Sequence, residues 1–205
     1  DGRGRCGVAG HTGQEDAAGN TLEPMARQIH THDPVDRFVV GTVGMPGDRT
    51  FYIQARTASV VTSVVVEKQQ VAILADRLSE VLADVGSRFD LVLPEPGPPD
   101  LAPLELPLVE EFRVGAIAFG WDPAHGQVLL ELHGATGDDD LDPTELDDTD
   151  DGPPLLRVRA RLAQMVDFID RARRVVAAGR PPCPFCQQPL DPQGHICPRA
   201  NGYRR

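Results

Sequence analysis

Phe38-Val39-Val40-Gly41-Thr42-Val43, Met45-Pro46-Gly47-Asp48, Thr50-Phe51-Tyr52-Ile53-Gln54-Ala55 and the β-branched run Val60 to Val66 follow one another with almost nothing between them. Short apolar runs rich in Val, Ile, Thr and aromatic residues, bounded by Pro-Gly chemistry, read as strands joined by tight turns. This stretch therefore predicts a three-stranded meander. From Glu67 the period changes: Val71, Leu74, Leu78, Val81, Leu82 and Val85 recur at three- and four-residue spacing, with Asp76, Arg77, Glu80 and Asp84 between them. That is the pattern of a helix with one apolar stripe, which packs on a sheet, and Gly86 is its expected stop.

Further along, the same order recurs. Phe38 to Val43 compares with Phe112-Arg113-Val114-Gly115-Ala116-Ile117, the Met45 to Asp48 turn with Gly120 to Gly126, and Thr50 to Ala55 with Val128 to His133. Val64-Val65-Val66, Gln70-Val71, Leu74 and Leu78 then compare with Val158-Arg159-Ala160, Gln164-Met165, Phe168 and Ala172. In the second helix Leu162, Met165, Val166, Ile169, Ala172, Val175 and Val176 make the expected buried face, and Gly179 ends it. Two βββα units follow from this. The expected fold is α+β: a mainly antiparallel sheet, six-stranded or split into two packed sheets, covered by two helices.

The organisation around these units reads as a disordered extension (1–24), a first unit (25–93), a Pro-rich linker (94–107), a second unit (108–180) carrying an acidic loop (137–152), and a tail (181–205). The linker composition suits an extended spacer crossing the surface; a ligand for a proline-binding module is the alternative. Within 138–151 nine of fourteen residues are carboxylates, a density that favours a solvated loop or a screen for the basic end. A calcium loop starting at Asp147 fails, because Val158 falls where the bidentate Glu belongs. No role is assigned to Cys6 or His11.

The net charge of −11 hides an asymmetry. From Leu155 onward ten arginines face Asp167, Asp170 and Asp191, giving +7 there and −18 before it. No run of eighteen apolar residues suggests a membrane span and no leader is recognisable, so the expected place is the cytoplasm and no membrane partner is indicated.

The chemistry-bearing stretch is the last one: Cys183-Pro184-Phe185-Cys186, then His195-Ile196-Cys197-Pro198-Arg199. Thiolate and imidazole are the ligands tetrahedral zinc prefers, and a closed set of four makes a structural site. Cys183, Cys186, His195 and Cys197 are the candidate ligands, with His195 the least secure. A redox dithiol is the alternative, but redox pairs open a helix in a βαβ context, and Pro181, Pro182, Pro184, Pro189, Pro192 and Pro198 exclude a helix here. Plain unliganded thiols are the third option. The spacing is not that of a DNA-reading finger.

This ending, with Pro189-Leu190-Asp191-Pro192-Gln193-Gly194 and Ala200-Asn201-Gly202-Tyr203-Arg204-Arg205 around it, and with Gly41-Thr42-Val43-Gly44 and Glu67-Lys68 upstream, resembles the actinobacterial family described as domain of unknown function 3090. That family is also catalogued as an uncharacterised repeat protein. The resemblance covers Met25 to Arg205. It implies Met25 as the start and a shared C-terminal cysteine motif, and it carries no activity. Within the family a glycine often follows the second cysteine, where this chain has Gln187, a departure that weakens this half-site.

Three functions compete. The favoured one is a non-enzymatic adaptor whose zinc-ordered tail docks a macromolecular partner, a protein rather than a nucleic acid. The second is nucleic-acid binding through Arg171, Arg173, Arg174, Arg180, Arg199, Arg204 and Arg205, with Phe185 or Tyr203 stacking on bases. Against it stand the −11 charge and only ten aromatic residues. Arg174, Arg180, Arg199, Tyr203, Arg204 and Arg205 are the anionic-partner contacts under either reading. The third is an enzyme using Asp122 and His125, or Glu131 and His133, which share a strand face. No nucleophile pairs with a base by spacing, and His133 is expected at a sheet edge or facing solvent.

Overall fold

The computed structural model describes residues 27–136, 152–179, 183–188, 190 and 197–199. The expected extension, the acidic carboxylates, His195, Arg180, Tyr203, Arg204 and Arg205 lie outside them.

A strand absent from the sequence reading, β1 (Ile29–His32), comes first, followed by the meander β2 (Arg37–Met45), β3 (Asp48–Thr57) and β4 (Val60–Val66). Met45 pairs with Asp48 across the Pro46-Gly47 turn. Just before the turn, Gly44 has a φ of +103°, and a Cβ there would collide with the Asp48 carbonyl oxygen, so glycine is required. Next comes α1 (Lys68–Phe89), whose N-cap Glu67 and third helical residue Gln70 form a reciprocal capping box. The helix does not stop at Gly86. It continues one more turn and closes where Asp90 takes the left-handed conformation (φ 51°), its N–H bonded to the Gly86 carbonyl. The chain then forms β5 (Glu110–Asp122), β6 (Gln127–Gly134), β7 (Leu155–Arg161) and α2 (Leu162–Ala177). Among the described residues no helix is long and apolar enough to cross a membrane.

All seven strands belong to one mixed sheet, in the order β1-β7-β6-β5-β4-β3-β2, so the fold is α+β. Neither six strands nor two packed sheets describes it. Each run of three consecutive strands is antiparallel, whereas β4:β5 and β1:β7 are parallel. A parallel neighbour needs a crossover, which α1 and the connection after it supply for β5.

The two end strands of that order, β1 and β2, are separated in sequence only by residues 33–36. The sheet must therefore curl until its edges meet. At the seam, Val35 N–H donates to the Arg159 carbonyl on β7 (3.1 Å) and Asp36 N–H donates to the Arg56 carbonyl on β3 (2.8 Å). His32, 1% exposed, fills the seam between Thr57 Oγ1 (3.0 Å) and Thr62 Oγ1 (2.9 Å).

Alternate residues point to the concave face, as the two-residue strand period requires. Phe38, Val40, Phe51, Ile53, Val64, Val128, Leu130, Leu132, Leu156 and Val158 share one core with Val71, Leu74 and Leu78 of α1 and Met165, Phe168 and Ile169 of α2. Phe38 and Phe168 stack with centroids 4.4 Å apart. Burying each side chain of this size contributes roughly 1.5–3 kcal/mol.

The proline-rich connection is held as a strap. Leu104 packs over Gly41, where any Cβ would crowd it. Gln54, itself 1% exposed, exchanges two hydrogen bonds with the Glu105 backbone. Arg37 binds the Asp100 carboxylate (2.9 Å) and the Ala102 and Pro103 carbonyls. Arg171, 8% exposed, donates to the carbonyls of Val40, Asp100 and Ala102 and pairs with Asp100 Oδ1 at 3.1 Å.

Candidate metal centre

The residues Cys183-Pro184-Phe185-Cys186-Gln187-Gln188 fold into a small knuckle. Proline sets the first turn dihedral, the Cys183 carbonyl accepts from Gln187 N–H (2.9 Å), and Cys183 N–H donates to the Gln188 carbonyl (2.7 Å). Chain reversal puts Gln187 at φ +64°. That is the left-handed region where glycine is at home.

The turn brings Cys183 and Cys186 to one side, and Cys197 returns to meet them. Their three Sγ atoms lie within 4.8 Å of one another. Cys183 and Cys197 are buried, with sulfurs 3.8 Å apart. Arg199 Nη1 donates to the Phe185 carbonyl (3.2 Å), tying the return segment to the knuckle. Phe185 itself is 61% exposed at the tip.

The sulfurs polarise one another. Burial opposes ionisation of Cys183, yet the backbone N–H groups of Cys186 and Phe185 and the neighbouring thiols outweigh it, so its pKa falls below the ordinary thiol value. At Cys186 the Gln188 N–H favours the thiolate, but burial and the adjacent sulfurs prevail and the pKa rises. One early ionisation that discourages the next is how clustered thiols behave without a cation among them.

A tetrahedral ion with metal–sulfur bonds of about 2.3 Å requires sulfurs about 3.8 Å apart. The Cys183–Cys197 separation meets that requirement as it stands. Three soft donors fit a thiophilic metal ion, and a fourth ligand would complete a closed site.

The other candidate residues are placed as follows. Arg174 bonds Asp170 on its own helix (3.0 Å) and Arg173 pairs with Asp76 of α1 (3.3 Å). The Asp122 carboxylate faces His125 Nδ1 (2.7 Å) in its own turn and accepts from Arg159 Nη1 of β7 (2.6 Å). The His125 and Arg159 hydrogen bonds lower the Asp122 pKa to about 2. Glu131 accepts from Arg157 Nε (2.6 Å). His133 is not at a solvent-facing edge: it is 1% exposed. Its Nδ1 faces Arg27 (3.4 Å) and its Nε2 lies 3.8 Å from Glu131. Burial lowers its pKa, with Glu131 opposing.

Two residues organise the molecule in ways the sequence did not announce: Arg171, expected as a nucleic-acid contact, and His32, given no role. For Arg171 a signal existed, since it lies between Phe168 and Ala172 on the buried stripe of α2. For His32 the short run Ile29–His32 was the only cue.

Over residues 30–197 the chain matches the family described as protein of unknown function, DUF3090. The chain belongs to this family. The DUF3090 match begins within β1 and ends at Cys197, so it spans the closed sheet, both helices and the three clustered cysteines. No curated protein and no solved structure matches the chain.

Proposed function

We propose that this DUF3090 protein holds a structural zinc ion in its tail and acts by binding, as an adaptor whose ordered, arginine-flanked tail docks a partner protein. The convergence of Cys183, Cys186 and Cys197 carries this reading. His195 is the proposed fourth ligand, which closes the set and makes the ion structural. Such a site supplies folding energy to a segment too short and too proline-rich to build a core. It also presents Phe185 and Arg199 on a fixed surface.

The body is proposed to be two βββα units related by duplication. Supporting this, Gln70 and Gln164 do the same two jobs in their respective helices. Each Oε1 accepts from the N-cap N–H, of Glu67 (2.8 Å) or Arg161 (3.0 Å). Each Nε2 donates to backbone carbonyls, those of Val114 and Gly115 within β5 or that of Val35 between β1 and β2. A nucleic-acid role draws less support, because Arg171, Arg173 and Arg174 already serve intramolecular partners.

Two measurements test the proposal together. Cobalt titration of the metal-free chain should give the intense sulfur-to-metal bands of a tetrahedral thiolate site, absent in Cys183→Ser. Capture from native lysate should recover a protein with the intact chain and lose it with Cys183→Ser. Absence of the bands removes the metal, and capture insensitive to Cys183→Ser removes the docking role.

A further inference from the structure

Two helix faces in this molecule share a design, and one of them is crossed by the chain itself. Between α2 and β2, Asp167 and Arg171 hold the strap as it crosses, and with Gln164 and Asp100 of the strap they line a small pocket. Gly97 N–H donates to Asp167 Oδ1 (2.8 Å), while Arg171 grips the Asp100 and Ala102 carbonyls and the Asp100 carboxylate. Between α1 and β5, Gln70, Ile73 and Arg77 occupy the corresponding helix positions, beside Ile117 and Phe119, around a cavity of 260 Å³. Gln70 and Gln164 anchor the correspondence by their matching bonds to the N-cap backbone.

The second face is open. Ile73 is 52% exposed, and Arg77, its side chain 67% exposed, pairs with Glu80 one turn along at 3.0 Å. The Val114 and Gly115 carbonyls are taken by Gln70; beyond them, among the described residues, β5 has a paired neighbour on the β6 side only, which leaves backbone groups able to hydrogen-bond an added extended chain.

We infer that the α1/β5 groove docks an extended, proline-containing acidic segment of a partner protein, held as the strap is held by α2. Arg77 takes the role of Arg171, receiving the carboxylate and adjacent carbonyls of the segment. Ile73 replaces Asp167, so the position matching Gly97 carries an apolar side chain instead of offering a backbone N–H to a carboxylate. A second copy is a poorer occupant, because the segment with this chemistry, its strap, is already held by Arg37 and Arg171. The inference rests on the reading of this protein as a binding protein, and not on its metal.

The probe is a fluorescein-labelled peptide copying residues 96–104 with leucine in place of Gly97, titrated with the full chain and followed by anisotropy. Saturable binding is expected, weakened at least tenfold by Arg77→Glu and by Ile73→Asp, weakened also by asparagine for the peptide aspartate, and unchanged by Cys183→Ser. No saturable binding, or binding indifferent to Arg77→Glu, overturns the inference. Loss with Cys183→Ser but not with Arg77→Glu would move the docking site to the tail. Self-association broken by Ile73→Asp in light scattering would assign the groove to a second copy and equally overturn it.

Discussion

At Gln187 the backbone carries a conformation its side chain disfavours, with φ +64°. Left-handed geometry costs a residue with a Cβ about 1–2 kcal/mol relative to glycine. Gln187→Gly should therefore tighten metal binding by several-fold in a chelator competition, and unchanged affinity would mean the knuckle is not preorganised. Two buried histidines make a second prediction. Burial first, and then the charge of His30, lower the pKa of His32, and burial dominates at His133 despite Glu131. With folded pKa values depressed, the unfolded chain takes up protons first as the pH falls through about 6.5. The contribution is complete above that value and is lost on acidification, by up to about 1.4 kcal/mol per pH unit for each ring. Urea midpoints at pH 7.5 and 5.5 should differ accordingly, and His32→Gln should flatten part of the slope. The cysteines were legible in the sequence because their spacing is local. The partners of His32 and Arg171 were not, since they lie 25 to 131 residues away.

Among the elements, the strap is the one whose role depends most on a single side chain. Arg171 is buried and satisfies three carbonyls and one carboxylate. Asp100 is 36% exposed and keeps Arg37 as a partner, but removing Arg171 takes the donor from three carbonyls, at about 1–3 kcal/mol for each buried group left unsatisfied. Arg171→Ala should lower stability by about 3 kcal/mol or more and open residues 94–107 to limited proteolysis, whereas Arg77→Ala, on an exposed pair, should fall within about 0.5 kcal/mol of the parent. A strap equally protected in Arg171→Ala would contradict its assigned role. Strands and helices were readable from periodicity, because β-branched runs and three-to-four spacing are properties of neighbouring residues. The end of α1 was misplaced at Gly86 because its true stop is a left-handed Asp90, a residue type that signals this less strongly than glycine.

For the whole molecule, closure of the sheet through residues 33–36 was invisible in the sequence, since strand order is set by pairings between distant segments. β5 illustrates this: nothing in its own residues says that its first turn of chain pairs parallel with β4 and the remainder antiparallel with β6. The knuckle of Cys183, Cys186 and Cys197 lies beyond α2, the last helix among the described residues, and in the proposed reading a bound zinc ion orders it. Structural zinc in small peptides contributes roughly 10–16 kcal/mol of apparent binding energy, ample to order such a tail. Native mass spectrometry of the full chain purified without chelator decides the matter. One zinc ion per chain, lost in Cys183→Ser together with protease resistance of the tail, is the predicted result. A metal-free chain whose tail resists protease as well as before, with all its thiols open to titration, would contradict it.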